Sequence, residues 1–572
     1  MNFSIKYYRH GILESKILPL VALLFFIAVF VFCCFYIFSG YDQLVKWFLG
    51  LNDCFYNTEI WSSNFFTRGI KSSGNVYCCF AIIMTGYGTF HVLKQLRKHE
   101  ARIVRSLTIN LYEAALLCVC LIAATLSWLW GKSLVAASND EVFSAVNCAG
   151  IHPFQTLSYY MLPNNHVLFN VLNNLLFHPF SNKVFTGRLI SLVSYWAIII
   201  VSYTWLNTLF SKKWLTILVV FTLSLQLPIW GFSFQARGYE LLSLAEWVAF
   251  ITLFQYLLSG HRNWLFIHVA ACSTGYFCIP SFLYFHSAVL AFMFFYQLFN
   301  KKGDFHFWKY QLVGAGMVYL LYLPCLCFSG PQAITANQYV VIDQNYNQLM
   351  EQAVMMCQNY MEFCFFRFIM PDHTIDYLLF LLPLCLFFYR KNKIALLLGC
   401  FFIAMWGCCL ALTIVMKIYP IDRALTGQFS ITLAIVIYTV YLLVTSLSKK
   451  MKLKVLPLVF LPLLLVMLCV NYVIKGKTNV TYYLCHFPVN LWHDGLMNEG
   501  ISVIQPGSSV AFSDESFYWY YLCEKYGYKV SKCRQGNEDY FIKREMEPSP
   551  PRLEQNYAPL KNVSSYIIYK RK

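Results

Sequence analysis

Long apolar runs alternate with short polar connections along most of the chain. We expect about thirteen of these runs to be membrane-spanning helices, because each approaches the ~20 residues that a helix needs to cross a hydrocarbon core. The expected spans are 17–38, 76–93, 107–130, 188–207, 214–233, 239–258, 263–283, 284–299, 309–328, 375–389, 394–416, 424–445 and 453–474. The first run is too long for the apolar core of a signal peptide, so we expect it to be retained as a helix.

The charged residues between the runs predict the topology. Lysine and arginine recur in every second connection, and such residues favour the cytoplasmic face. With the amino terminus in the cytoplasm, the residues on that side are Lys6, Arg9, Lys16, Lys94, Arg97, Lys98, Arg102, Arg105, Lys212, Lys213, Arg262, Lys301, Lys302, Lys309, Arg390, Lys391, Lys393, Lys449, Lys450, Lys452 and Lys454. The opposite face receives the long segments 39–75, 131–187 and 329–374 and the tail. Function is therefore expected outside the cytoplasm.

The external segments contain elements of their own. The apolar stretch His166–Phe177 is too short to span a bilayer and is expected to form a juxtamembrane helix at the interface. In the tail, short strand-like runs at 509–512, 528–530, 540–543 and 566–569 predict a small α/β domain.

The expected fold is thus an all-α polytopic membrane protein with external juxtamembrane helices and a small C-terminal α/β domain outside the cytoplasm. We divide the chain into three parts. Residues 1–106 form an N-terminal extension with two transmembrane helices, 107–474 form the main transmembrane domain, and 475–572 form the α/β domain.

Composition supports the membrane assignment and narrows the partners. Of the 572 residues, 58% are hydrophobic and only 12% are charged, whereas soluble proteins carry roughly one quarter charged residues. The net charge of +17 comes from basic residues in the short loops, so it indicates topology, and no nucleic acid partner is expected. The 22 cysteines lie mostly in apolar runs and form no zinc-binding spacing.

The first candidate residues for chemistry follow the third expected span. Asp140 and Glu141 lie side by side in an external segment that is otherwise nearly uncharged. Acidic loop residues are usually just solvated, and this is the alternative to a catalytic role. His166 stands at the start of the juxtamembrane helix, where it could hydrogen-bond a phosphate, bind a metal or simply cap the helix.

Further candidates lie at the outer ends of later spans. Arg188 begins the fourth span, Arg237 and Tyr239 precede or begin the sixth, and Asp422 and Arg423 precede the twelfth. Arginine at a helix end often only reaches toward lipid headgroups, which is the alternative to substrate binding. Together with the acidic pair, however, these residues are what a reaction on a lipid phosphate requires, because cations hold the phosphate and a carboxylate accepts a proton.

Five elements in this order resemble the GT-C superfamily of membrane glycosyltransferases, and most of all its family 39-like members. That group includes protein O-mannosyltransferases and the bacterial enzymes that transfer aminoarabinose to lipid A. The matching elements are Asp140–Glu141 after a transmembrane helix, Pro163–His166 before a juxtamembrane helix, Arg188 at the next span, Ala236–Tyr239 at a later helix, and Asp422–Arg423 before a late helix. The resemblance extends over residues 107–445 and implies a GT-C-like transmembrane catalytic domain.

The resemblance also implies an activity. The donor is expected to be a sugar linked to polyprenyl phosphate, the acceptor an envelope lipid, glycan or protein, and the transfer to occur with inversion on the periplasmic side of a bacterial inner membrane. Asp140 is then the general base and Glu141 its support. Arg237, Arg423 and His166 are expected to hold the leaving phosphate. Some relatives use a divalent metal ion, for which Glu141 and His166 are the available ligands.

Two other classes of function remain open from the sequence. A lipid flippase or ion-coupled transporter would explain the many helices and Glu246, a carboxylate about two turns inside the sixth span. Against a transporter, the polar residues of this chain are expected to gather at one membrane face rather than at the midplane. A non-catalytic membrane assembly protein is the third class, and it predicts that Asp140→Asn is harmless.

Overall fold

The computed structural model describes residues 17–51, 61–97, 110–135, 137–160, 165–176, 182–301, 303–335, 346–368, 374–417, 420–453, 455–479, 499–513, 519, 523, 528–531, 537–546, 549, 553–563 and 565–572. Helices dominate this part of the chain up to residue 479. The first eleven are α1 (Ile17–Phe38), α2 (Tyr41–Gly50), α3 (Arg68–Arg97), α4 (Leu111–Leu134), α5 (Asn139–Ser144), α6 (Pro153–Ser158), α7 (Val167–Leu176), α8 (Lys183–Leu206), α9 (Lys213–Leu225), α10 (Leu227–Ser233) and α11 (Tyr239–Ser259).

The helices continue to the end of the membrane region. They are α12 (Asn263–Cys278), α13 (Leu283–Asn300), α14 (Phe305–Phe328), α15 (Gly330–Thr335), α16 (Tyr346–Phe365), α17 (Thr374–Leu381), α18 (Lys393–Met416), α19 (Thr426–Met451) and α20 (Leu456–Asn479). Short turns of π-helix at Trp61–Phe65 and Ala145–Ala149 and of 3-10 helix at Pro280–Phe282, Leu382–Tyr389 and Asp422–Leu425 adjoin several of them.

Ten helices in the described chain are long and apolar enough to cross a membrane. They are α1, α3, α4, α8, α11, α13 with the turn before it, α14, α18, α19 and α20. Helices α9 and α10, which are bent by 67° at their junction, make an eleventh span if they are taken as one. The multi-pass helical architecture predicted from the sequence is therefore confirmed.

The number of long spans is lower than the thirteen expected, for three local reasons. Helix α12 has 16 residues, which at 1.5 Å per residue is about 24 Å and shorter than a hydrocarbon core of about 30 Å. The segment expected at 375–389 changes from α-helix to 3-10 helix at Leu382. The segment expected at 214–233 breaks before Pro228, which lies in the first turn of α10, where a missing N–H is tolerated.

The juxtamembrane helix predicted from the sequence is α7. Its asparagines are buried, and two of them form hydrogen bonds to residues that precede the helix in the chain. Asn170 donates to Asn165 Oδ1 at 2.9 Å, and Asn174 donates to the carbonyl of Ile151 at 2.6 Å. These hydrogen bonds satisfy amides that would otherwise be costly to bury, and they attach the helix to the segment that carries the acidic pair.

The N-terminal helices pack against the C-terminal end of α14. The Tyr36 hydroxyl donates to the carbonyl of Cys327 at 2.9 Å, and the Trp61 indole donates to that of Phe328 at 3.0 Å. Stacked aromatic rings surround these contacts. The part of the extension that is described here is thus attached to the main helical bundle, while the boundary at residue 106 stays a prediction.

The described part of the tail contains a five-stranded sheet. Its strands are β1 (Ser509–Phe512), β2 (Lys529–Ser531), β3 (Tyr540–Arg544), β4 (Tyr557–Val563) and β5 (Tyr566–Arg571), with helix α21 (Leu553–Asn556) before β4. The strand order is β2-β1-β3-β5-β4. Strand β1 is parallel to both neighbours, and the β3–β5 and β5–β4 pairs are antiparallel. The small α/β domain predicted from the sequence is confirmed.

Candidate active site

The acidic pair occupies the first turn of α5, where it points in two directions. The Ser138 hydroxyl accepts from the backbone N–H of Glu141 at 3.2 Å, and the Glu141 carboxylate accepts from the N–H of Ser138 at 2.8 Å. This reciprocal cap fixes the start of the helix. Glu141 is fully buried, whereas the Asp140 side chain is 38% exposed. The cap therefore separates an inner carboxylate from an outer one.

Glu141 connects three parts of the chain. Besides the Ser138 N–H, its carboxylate accepts from Arg188 Nε at 2.9 Å and Arg188 Nη2 at 3.0 Å, on α8. It also accepts from the backbone N–H of Ala236, at 2.6 Å, in the loop before α11. These four hydrogen bonds use both carboxylate oxygens and neutralise the charge of Arg188, as a buried ion pair requires.

Arg237 comes directly after Ala236, whose N–H donates to Glu141. The Arg237 side chain is almost completely buried. Nη1 donates to Ser144 Oγ at 2.8 Å and to the carbonyl of Asp140 at 3.2 Å. Nη2 lies 3.3 Å from the Tyr239 hydroxyl and 3.8 Å from Asp140 Oδ2. The loop is supported by Ser191 on α8, whose hydroxyl donates to the carbonyl of Gln235 at 2.6 Å. Arg237 is thus a rigidly placed cation.

His166 contacts Arg237 and is also buried. Its Nδ1 accepts from the N–H of Gly238 at 2.8 Å, and its Nε2 is 3.2 Å from Arg237 Nη2. A β-carbon at Gly238 would lie 2.9 Å from this Nδ1, so the close approach requires glycine. Burial first, and then the charges of Arg237 and Arg423, lower the pKa of His166 well below 6.5. The imidazole is therefore neutral at physiological pH.

Arg423 completes the cluster from the other side. Its Nη1 lies 3.1 Å from Asp140 Oδ2, and its guanidinium lies 5.9 Å from the centre of the Tyr239 ring, which also faces Arg237 at 5.5 Å. Asp422 Oδ1 accepts from the Arg423 N–H at 2.7 Å and so closes the turn before α19. Tyr239 is thus an aromatic platform between two guanidinium groups.

The Asp140 carboxylate thus lies between Arg237 and Arg423, which come from distant parts of the chain. The structure brings together Asp140, Arg237, Tyr239, His166 and Arg423 in one cluster of contacts at the N-terminal ends of α11 and α19. Arg188, in contrast, pairs with Glu141 inside the protein. Pro163 and Asn164 of the matched Pro-Asn-Asn-His element lie outside the described residues.

The residues that could hold a metal ion are already occupied. Both carboxylate oxygens of Glu141 already accept hydrogen bonds. His166 Nδ1 accepts from the N–H of Gly238, so the neutral ring carries its proton on Nε2 and offers no free lone pair. Within the described ranges, His, Cys, Asp and Glu form no group of three that could bind a metal. The donor set in this arrangement does not fit a metal ion.

The sequence did not single out Ser144 or Ser138, although both shape the site. Ser144 lies one helical turn after Asp140, so the spacing of four residues places the hydroxyl near the backbone of the acidic pair. Ser138 precedes Glu141 by three residues, which is the spacing of a capping box. The spacing was available in the sequence, but the partner of Ser144 was not, since Arg237 is 93 residues away.

Comparisons with known proteins give structural similarities only. No protein-family model and no curated protein matches the chain. The apo structure of ArnT from Cupriavidus metallidurans is similar at 11% identity, covering 80% of this chain and 98% of that one, with a TM-score of 0.47. The same protein bound to undecaprenyl phosphate gives 11% identity, 79% and 97% coverage and a TM-score of 0.45.

Another similar structure is the oligosaccharyltransferase AglB from Archaeoglobus fulgidus, in complex with an inhibitory peptide and a dolichol-phosphate. It is 11% identical, with 81% of this chain and 74% of that chain covered and a TM-score of 0.40.

Proposed function

We propose that this protein is an integral-membrane glycosyltransferase that moves a sugar from a polyprenyl-phosphate donor to an acceptor hydroxyl at the extracytoplasmic face. One observation carries the proposal. The Asp140 carboxylate lies 3.1 Å from Arg423 and 3.8 Å from Arg237, so a base and two phosphate-binding cations meet at one point. The order of motifs shared with GT-C glycosyltransferases supports it.

In the proposed reaction, Asp140 accepts the proton of the acceptor hydroxyl while the hydroxyl oxygen bonds to the anomeric carbon. The bond between that carbon and the phosphate oxygen breaks, and its electron pair leaves with polyprenyl phosphate. Attack opposite the leaving group inverts the anomeric centre. The proton on Asp140 then passes to water, which restores the carboxylate. A positioned base typically contributes about 10²–10⁴-fold to such a step.

The two arginines serve the leaving group. Before the reaction, Asp140 partly neutralises Arg237 and Arg423 through the ion pairs described above. When Asp140 takes up a proton, its negative charge disappears as negative charge grows on the phosphate. The attraction of both guanidinium groups is then directed to the phosphate, and preorganised cations of this kind stabilise a developing anion strongly.

The remaining residues have supporting roles in this proposal. Tyr239 carries both guanidinium groups on its ring, and Asp422 closes the turn that presents Arg423. His166, being neutral, holds the N–H of Gly238 next to Arg237 without adding a like charge. Glu141 and Arg188 position the two segments that carry Asp140 and Arg237.

The cellular setting is part of the proposal. The positive-inside pattern supports an amino terminus in the cytoplasm and a C-terminal domain in the periplasm of a bacterial inner membrane. The acceptor is an envelope lipid, glycan or protein. A divalent metal ion remains a prediction of the sequence resemblance alone.

The test is Asp140→Asn in the full-length protein. The amide keeps the shape of the side chain but cannot accept the proton, so we expect sugar transfer to fall by at least about 10²-fold while membrane insertion and abundance stay unchanged. Transfer is measured from a radiolabelled polyprenyl-phosphate sugar to envelope extract. Asp42→Asn is the matched control, because Asp42 also pairs with an arginine, Arg68, but is exposed and belongs to α2. Full transfer by Asp140→Asn would refute the role of Asp140 as general base and would favour the transporter or assembly functions.

A further inference from the structure

Helices α11 and α19 approach each other very closely just below the site. A β-carbon placed on Gly427 would overlap the Glu246 carboxylate oxygen Oε2 and lie 3.0 Å from Ser243 Cα. Gly427 is in the first turn of α19, and both of the other residues are on α11. We call these three residues the α11–α19 contact. A residue other than glycine at position 427 would displace the Glu246 carboxylate and press against the backbone of α11 at Ser243.

The contact is completely enclosed by protein. Ser243 and Glu246 are fully buried, and Gly427 is buried as well. A second link lies next to it, since the Trp247 indole donates to Ser430 Oγ at 3.2 Å. A carboxyl group inside a membrane-spanning helix is costly and is a functional candidate by default. Glu246 takes no direct part in the proposed reaction, so its burial at this place needs another explanation.

The contact lies about one helical turn from Arg423 on the α19 side and from Tyr239 on α11. Gly427 follows Arg423 by four residues, which is about one helical turn, and the Thr426 hydroxyl donates to the Arg423 carbonyl at 2.8 Å. On α11, Ser243 follows Tyr239 by four residues and its hydroxyl donates to the Tyr239 carbonyl at 2.9 Å. Gly427 and Ser243 are thus each about one helical turn from Arg423 and Tyr239, whose guanidinium and ring lie 5.9 Å apart.

We propose that the α11–α19 contact positions Arg423 for the donor phosphate. Gly427, Ser243 and Glu246 are positioning residues that act through Arg423 and touch no substrate. The inference rests on the proposed function, in which Arg423 holds the phosphate. Its physical basis is steric: a wider contact moves the guanidinium away from Asp140 and Tyr239, which it now meets at 3.1 Å and 5.9 Å.

The test is Gly427→Ala in the purified full-length protein, with binding of undecaprenyl phosphate in detergent micelles as the direct measurement. We expect the Kd to rise about tenfold and the KM for the donor to rise with it, while the KM for the acceptor stays unchanged. Gly407→Ala is the matched control, because Gly407 also lies inside a membrane-spanning helix and has open space where a β-carbon would be. That variant should bind like the wild type.

A rescue separates positioning from general loss of structure. Glu246→Ala removes the carboxylate that the new methyl group overlaps but leaves the approach of 3.0 Å to Ser243 Cα, so Gly427→Ala/Glu246→Ala should bind undecaprenyl phosphate more tightly than Gly427→Ala alone. If Gly427→Ala does not fold, the double variant is compared with Glu246→Ala alone, which leaves the contact underfilled and should bind more weakly than the double variant.

Two results would overturn the inference alone: Gly427→Ala binding as tightly as Gly407→Ala, or a double variant no better than the single variants. A wild-type protein that neither binds undecaprenyl phosphate nor transfers sugar would instead overturn the proposed function, and the inference with it. The two failures are therefore distinguishable.

Discussion

Glu141→Gln tests whether the inner carboxylate is a support rather than a catalyst. The substitution keeps the shape of the side chain but removes its charge, and it places an amide NH₂ near donors that now reach both oxygens. Arg188, which is only 6% exposed, is then left as a buried charge without its carboxylate. Breaking a buried pair in this way costs about 3–5 kcal/mol, so we expect a loss of stability of that size.

The same substitution should reduce activity indirectly. Glu141 holds the N–H of Ala236, next to Arg237, and lies beside Asp140 on α5, so both functional groups shift when the carboxylate is lost. A misplacement of about 1 Å costs about 10²-fold in rate. Stability is measured by unfolding in detergent, and activity by the sugar-transfer assay. Glu113→Gln is the matched control, because Glu113 pairs with Lys213 at 3.2 Å, but that lysine is 42% exposed. It should cost less stability and leave transfer unchanged.

A second substitution distinguishes support from catalysis. Arg188→Met removes the uncompensated charge, and replacing a buried pair by apolar groups is often nearly neutral. Glu141→Gln/Arg188→Met should therefore regain most of the lost stability and part of the activity. A stable double variant without any transfer would assign Glu141 a direct chemical role. Wild-type stability in Glu141→Gln alone would refute the reasoning from the four hydrogen bonds.

Two more predictions concern the cations and the histidine. Arg423→Lys keeps the charge but loses the planar fork beside Asp140 and Tyr239, so the KM for the donor should rise about tenfold with the acceptor KM unchanged; a change below twofold would contradict the assigned role. The lowered pKa of His166 means that the unfolded chain gains a proton below about pH 6.5 while the folded protein does not. Stability should therefore be constant above that pH and fall as the pH is lowered through it, by up to about 1.4 kcal/mol per pH unit. The fall should be smaller in His166→Gln, and an identical pH profile of unfolding would count against the buried neutral imidazole.

Most of the fold could be predicted because its signals are local. A run of apolar residues is recognisable without knowing its neighbours in space, and ten of the expected spans correspond to long apolar helices. The segments 263–283 and 375–389 were expected as full spans because hydropathy does not report where a helix ends or tightens into a 3-10 turn. Four of the five strands in the tail were expected as well.

The strand that escaped prediction shows where local signals fail. Strand β4 contains Pro559 and a register shift between Pro559 and Lys561, and proline inside a strand argues against assigning one. The strand is tolerated because it lies at the edge of the sheet and pairs only with β5. Its position in the sheet, which the sequence does not state, overrides its weak propensity.

By itself the sequence determined that the chain is a multi-pass membrane protein, that its tail forms a small α/β domain, and that Asp140, Arg237 and Arg423 belong to one group of candidates. Only the tertiary structure decided which charges meet. Glu141 pairs with Arg188 across 47 residues, and Asp140 on α5 meets Arg423 in the turn before α19. Hydropathy and helical spacing are properties of neighbouring residues, whereas an ion pair between distant segments depends on how whole helices pack. The fold therefore separates the two neighbouring carboxylates: Glu141 is buried against Arg188, and Asp140 faces Arg237 and Arg423.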